Sequence, residues 1–164
     1  MAKFETALPY VLRNEGGWSD DPNDPGGVTM RGITLGVASA YGIDTKEKLK
    51  SISTEMIGRI YRDGYWRLDG VVDQNVATKL FDMSVNMGLV TAVKLAQKEL
   101  KMVDIDGKCG PATIRAINSF DPEKFLTSLC LASMGHYIAI STKNPNLKKF
   151  LNGWTKRAYQ KPSA

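Results

Sequence analysis

Apolar residues recur at helical spacing through almost the whole chain, and the period fails in one stretch, residues 18–34. Phe4, Leu8 and Val11 fall at i, i+4 and i+7, with Glu15 completing the stripe at i+11, which predicts one face of an amphipathic helix. Gly16-Gly17 then ends it, since glycine supplies the left-handed terminus that other residues resist. Pro9 lies inside the pattern and removes one main-chain hydrogen bond, so a kink or a late start is expected there. Beyond the glycines, Asp20-Asp21-Pro22-Asn23-Asp24-Pro25-Gly26-Gly27 is dense in turn formers, and Val28 to Thr34 reads as short β structure.

Helices resume at residue 34 and run to the end. Thr34 is placed to cap a short one that stops at Gly42, Asp44 with Glu47 resembles a capping box, and Ser53 opens another that ends near Gly64. Val76, Leu80, Met83 and Met87 mark a helix over about 73–88, and Leu89 to Leu100 a further one. A loop over 103–110 precedes Pro111, and Asp121-Pro122 and Asn144-Pro145 each pair a cap with a proline that starts a helix. The predicted fold class is therefore α+β, mainly α. No linker-like stretch interrupts the chain, so two lobes, 1–88 and 89–164, are expected to pack together.

Several chemistries are disfavoured. No apolar run approaches the roughly 20 residues that span a bilayer, and the start of the chain lacks a signal peptide's apolar stretch. The expectation is a soluble, cytoplasmically made protein. Cys109 and Cys130 are the only cysteines, too few for a disulfide framework, and His136 is the only histidine. Nothing matches a zinc motif, and no cofactor is implied. The charge is uneven: residues 1–88 hold ten Lys and Arg against twelve Asp and Glu, whereas 89–164 hold twelve against five. A basic second half attracts an anionic polymer or cell envelope, or is simply a solvated face. The absence of a recognition motif counts against nucleic acid.

Glu15 is the residue that most needs explaining. A carboxyl on an apolar stripe, at the negative end of a helix dipole, sits where the protonated form is favoured, as a glycosidase's general acid requires. The alternative is an exposed helix-end glutamate, or one paired with Arg31. Asp24 and Thr29, in the segment that follows, could hold a water across a cleft. Each also suits its local place, an aspartate in a turn and a threonine in a strand.

These residues sit in a recognisable frame. Glu15-Gly16-Gly17-Trp18-Ser19, Pro22-Asn23-Asp24-Pro25-Gly26-Gly27-Val28-Thr29 and Gly32-Ile33-Thr34 closely resemble the signature of glycoside hydrolase 108 lysozymes, N-acetylmuramidases of phages and prophages. Tyr65-Trp66, Phe81-Asp82 and Asn86-Met87-Gly88 add to the likeness. Asp106-Gly107-Lys108-Cys109-Gly110-Pro111-Ala112-Thr113 and Gly153-Trp154-Thr155-Lys156-Arg157 resemble the helical peptidoglycan-binding domain that accompanies the family.

The resemblance implies a lysozyme-like helical body with a small β region beside a cleft, and a monomer. It makes Glu15 the catalytic acid, with Asp24 and Thr29 similar to the Glu-x8-Asp-x5-Thr arrangement of T4-type phage lysozymes, one residue shorter in the second gap. Tyr65 and Trp66 could stack on sugar rings, and Asp82 and Asn86 could bond their polar groups; core packing for Trp66, and structural hydrogen bonds for the other two, are the competing readings. The implied activity is hydrolysis of the β-1,4 bond between N-acetylmuramic acid and N-acetylglucosamine in bacterial peptidoglycan, for host-cell lysis. Lytic transglycosylation and a non-enzymatic wall-binding module are the alternatives.

Overall fold

The computed structural model describes residues 1–20 and 27–163. A mainly helical body carries one small antiparallel sheet. In chain order the elements are α1 (Phe4–Asn14), β1 (Trp18–Ser19), β2 (Thr29–Met30), β3 (Ile33–Thr34), α2 (Leu35–Ser39), α3 (Lys46–Lys50), α4 (Thr54–Tyr65), α5 (Gln74–Met87), α6 (Leu89–Glu99), α7 (Pro111–Ser119), α8 (Pro122–Lys143), a 3₁₀ turn (Pro145–Leu147) and α9 (Lys148–Tyr159). The fold class is the one expected, α+β with helix dominant.

α1 runs through Pro9 without interruption, with proline on the exposed side. The helix stops one residue earlier than its periodicity suggests. Glu15 is its C-cap, in extended conformation with φ −90° and ψ 142°, so its side chain leaves the helix face instead of continuing it. The β segment folds into a hairpin, with Thr29 opposite Thr34 and Met30 opposite Ile33, and β1 joins on the other side of β2. Arg31 and Gly32 form the two-residue turn at φ +48° and +76°, the pair of positive values that a type I′ hairpin requires.

Most helix starts lie where the polar caps stand. Thr34, Ser53, Asp73 and Asp121 each accept a hydrogen bond from the main-chain N–H three residues on. The cap of α3 is Thr45, not Asp44; Thr45 is extended and accepts from Lys48, while Asp44 sits outside and pairs with the Lys48 ammonium at 2.7 Å.

α5 is the central element. Every residue from Val76 to Ser84 is buried, and α1, α4, α6 and α8 pack around it. Phe4, Trp66 and Phe81 meet at centroid separations of 5.5 Å, and the same core continues through Ala92, Ala96, Phe125 and Leu129. α8 is long and apolar enough to cross a membrane by length and composition, contrary to the sequence expectation; its inner face, including Phe125, Leu126, Leu129 and Ser133, is core. Cys109 and Cys130 are free thiols, and burial pushes Cys109 up to about 11.

A helix buried on all sides cannot leave a charge unpaired. Lys79 of α5 is fully buried, and its ammonium donates to the main-chain oxygens of Arg157 (3.2 Å), Ala158 (2.7 Å) and Gln160 (2.8 Å). All three donors are used on the C-terminal end of α9, where the dipole is negative and, of the three carbonyls, that of Arg157 also accepts from the Gln160 N–H. Burial itself pulls the Lys79 ammonium below the usual lysine range. Lys79→Met should lower stability by about 2–4 kcal/mol, because it strands buried carbonyls. A urea titration should show a lower midpoint with an unchanged slope, whereas exposed Lys124→Met should stay within about 0.5 kcal/mol of the parent.

Candidate active site

The end of α1, the hairpin turn, the middle of α5 and the last turns of α9 converge on Glu15. Its carboxylate is 14% exposed, and Oε1 lies 2.8 Å from Nη2 of Arg157, whose side chain is also 14% exposed. Arg157 reaches past it to Asp82, which accepts from Nε at 3.0 Å and Nη2 at 2.8 Å through the same oxygen, Oδ1. Asn14, the last residue of α1, donates to that oxygen as well, at 3.1 Å. Asp82 is the deepest of the group at 3% exposure.

The three charges have distinct duties. Asp82 cannot sit inside α5 without a cation, and the guanidinium satisfies it through two N–H groups. Burial alone would pull the guanidinium down, but Asp82 and Glu15 together hold it above its ordinary value. Glu15 takes a single bond from the same group and is the more exposed acid. It is therefore anchored by the pair that Asp82 completes, and of the two acids it is the nearer to solvent.

The hairpin turn closes over the other carboxylate oxygen. A Cβ built on Gly32 would lie 2.5 Å from Glu15 Oε2. Glycine at this position thus serves both the positive φ of the turn and the close approach of the acid. Tyr61 of α4 fixes the turn by donating its hydroxyl to the Arg31 carbonyl at 2.6 Å. Burial, followed by the nearby Glu15 charge, pushes the Tyr61 phenol well above its usual value.

Of the residues singled out in the sequence, Glu15 and Asp82 are brought together through Arg157. Asn86, one turn beyond Asp82, donates to the hydroxyl of Tyr137. Thr29 is half-buried in the central strand, two residues before the turn that covers Glu15. Asp24 lies outside the described residues. Tyr65 is half-buried at the end of α4 with its ring against Tyr61. Trp66 is a core residue: it is 2% exposed, its ring is wedged edge-on against Phe4 and Phe81, and its indole N–H donates to Asp69 at 2.7 Å. No face of that ring is open for a sugar.

Sequence reasoning missed this role of Arg157, which falls within the basic second half read as a face for an anionic polymer or as a solvated one. Trp154 and Ala158 flank it on the inward stripe of α9, and an ionisable residue beside such a stripe was the signal. The Asp-Gly-x-x-Gly-Pro-x-Thr motif also acquires a reason. Buried Gln97 donates to Asp106 (2.8 Å), the Lys108 carbonyl (3.2 Å) and Thr113 (3.1 Å), and accepts from Gly107 N (2.9 Å). The motif is the loop that folds around one amide.

Comparison with known proteins adds two family matches. Residues 8–88 match the family described as glycosyl hydrolase 108, and residues 91–159 match the one described as "Predicted Peptidoglycan domain". The chain is also similar to the structure of Brucella abortus SagA, at 30% identity and a TM-score of 0.72, over 94% of this chain and 92% of that one. Comparison with curated proteins gives no match. Glu15 and Asp82 thus fall in one matched segment, and the arginine that joins them in the other.

Arg157→Met removes the cation from beside the buried Asp82 and should cost about 3–5 kcal/mol, the usual penalty for breaking a buried pair from one side. Adding Asp82→Asn should restore part of that loss, giving a coupling of about 1 kcal/mol or more in a double-mutant cycle read by chemical denaturation.

Proposed function

The chain belongs to the glycosyl hydrolase 108 family and is a peptidoglycan hydrolase of the glycosidase type, and on that premise we propose that it is an N-acetylmuramidase that uses Glu15 as general acid. The bond cut is the β-1,4 link between N-acetylmuramic acid and N-acetylglucosamine. The observation that carries the reading is a carboxyl set at the end of α1, largely shielded from water, covered by a glycine turn and oriented by a guanidinium that Asp82 holds in place.

The chemistry follows from that placement. Asp82 retains Arg157 through two N–H groups, so Glu15 can release its one bond without loss of the arrangement around it. On leaving the guanidinium the carboxylate takes up a proton from solvent; Glu15 then gives that proton to the glycosidic oxygen as the bond to the anomeric carbon breaks, and the departing sugar leaves as an alcohol. Water completes the reaction at the anomeric carbon, which leaves a reducing end. We assign positioning of that water to Asp24 and Thr29, through their resemblance to the T4-type arrangement. Tyr65, whose ring lies against Tyr61, and Asn86, one turn from Asp82 on α5, are proposed as substrate contacts. A lytic setting belongs to the same proposal: synthesis in a phage host's cytoplasm, then action on the wall after release.

Glu15→Gln is nearly isosteric but has no acidic proton, so turnover of purified peptidoglycan should fall by about 10²–10⁴-fold with folding intact. Mass spectrometry of the wild-type digest should show reducing ends. Activity above a few per cent in the variant defeats the assignment, and 1,6-anhydro ends would make the enzyme a transglycosylase.

The second half supplies charge for the wall. Arg157 and Lys79 are committed internally, but Lys148, Lys149 and Lys156 are exposed. We propose that they draw the protein to an anionic envelope. Screening acts over about 8 Å at physiological ionic strength, so added salt should weaken binding to whole walls more than cleavage of short soluble fragments. Reversing the three lysines to glutamate should abolish the difference, and identical salt profiles for the two substrates would refute it.

A further inference from the structure

The inward face of α9 does not end at Arg157. Trp154 lies three residues before it and Phe150 four before that, a helical spacing that places all three along one side over about 10 Å. Trp154 stacks on Tyr137 of α8, with centroids 5.1 Å apart and planes at 24°, and Phe150 follows at 5.5 Å and 34°. Tyr137 is buried, Trp154 half-buried and Phe150 46% exposed, so the stack emerges stepwise from core to surface. At its inner end the Tyr137 hydroxyl accepts from Asn86, one turn from Asp82. Side-chain contacts therefore link Glu15, Arg157 and Asp82, and one turn further along α5 a second set links Asn86, Tyr137, Trp154 and Phe150.

An isolated exposed aromatic needs no explanation. This one is aligned with the site, backed by two further rings and held in register by the Lys79 cap on the same helix. Lys149 Nζ lies over the Phe150 ring, 4.9 Å from its centre, so that an exposed, flexible cation and an apolar ring are presented together. That pairing suits a saccharide whose ring presents C–H groups while neighbouring substituents carry carboxylates. The outer face of α8 makes a useful contrast: Leu131 is 63% exposed but lies outside these contacts.

We propose that the Phe150 ring, backed by Trp154 and Tyr137, is a stacking platform for the glycan strand, continuing the cleavage site across Arg157 onto the second half of the chain. The proposal rests on the reading of Glu15 as the acid, because that residue fixes where the strand is cut. Its consequence is that the wall-binding half grips the same strand that is being cut, next to the bond, instead of tethering the enzyme at a distance.

The test is equilibrium co-sedimentation of the Glu15→Gln protein with purified sacculi and with glycan strands stripped of stem peptides. Phe150→Ala in that background should weaken binding to both by about five- to tenfold. Phe150→Tyr should retain binding, and the melting temperature of each should stay close to that of the parent. Leu131→Ala should bind as the parent does. Unchanged binding in Phe150→Ala overturns the platform, as does an equal loss in Leu131→Ala, which would mean diffuse apolar adhesion. A loss confined to peptide-bearing sacculi overturns it too, since the ring would then read peptide and not sugar. Residual turnover in Glu15→Gln counts against the acid assignment alone, so the two failures are distinguishable.

Discussion

Asp82 is a carboxylate inside a helix that is buried on every side, and the position of one guanidinium follows from it. Removing a carboxylate from water costs several kcal/mol unless a cation and hydrogen bonds replace the lost hydration. Here Arg157 and Asn14 replace it, both on Oδ1. Arg157 comes from the far end of the chain, so satisfying Asp82 requires α9 to lie against α5. Lys79 meets the same requirement from the other direction, since its own buried charge is met by the carbonyls that end α9. Two buried charges of opposite sign on one helix thus hold the last helix at two points, one through its side chain and one through its main chain.

Glu15 inherits its geometry from that arrangement. Its helix ends just before it, and the extended cap conformation turns the side chain toward the arginine that Asp82 already holds. The Arg31-Gly32 turn then covers the remaining oxygen, and it does so closely because no Cβ intervenes. The acid therefore depends on three separate rules: a helix stop, a type I′ turn and a buried ion pair. Only the last is long-range.

That division explains what the sequence could and could not reveal. The caps at Thr34, Ser53, Asp73 and Asp121 were legible because a cap is decided within three residues. Asp44 was taken for Thr45 because both can cap and Glu47 lies three residues after the first; the backbone conformation, which sequence does not specify at single-residue precision, decided between them. Trp66 read equally well as a sugar platform and as core, since both use the same apolar ring, and only its neighbours Phe4 and Phe81 separate the two. Arg157 was hidden by its company. It stands among Lys148, Lys149, Lys156 and Lys161, which contribute with it to the basic balance of the second half, and its partner Asp82 is 75 residues away.

The same geometry argues against treating the second half as a detachable anchor. An anchor joined by a flexible linker raises the local concentration of an otherwise complete site. In this chain the site is incomplete without α9, because Asp82 would be left unpaired and Glu15 without its orienting group. Separation of the halves is therefore opposed by the electrostatic cost of Asp82 as well as by the apolar core they share. The loop at 103–110 fits this view. Asp106, Gly107, Lys108 and Thr113 of its motif are engaged by Gln97, and it is α9 of the second half that reaches Glu15. On the proposed reading, a strand drawn to the basic surface of that helix arrives beside the carboxyl proposed to cut it, because the helix proposed to attract the polymer is the one whose arginine pairs with Glu15.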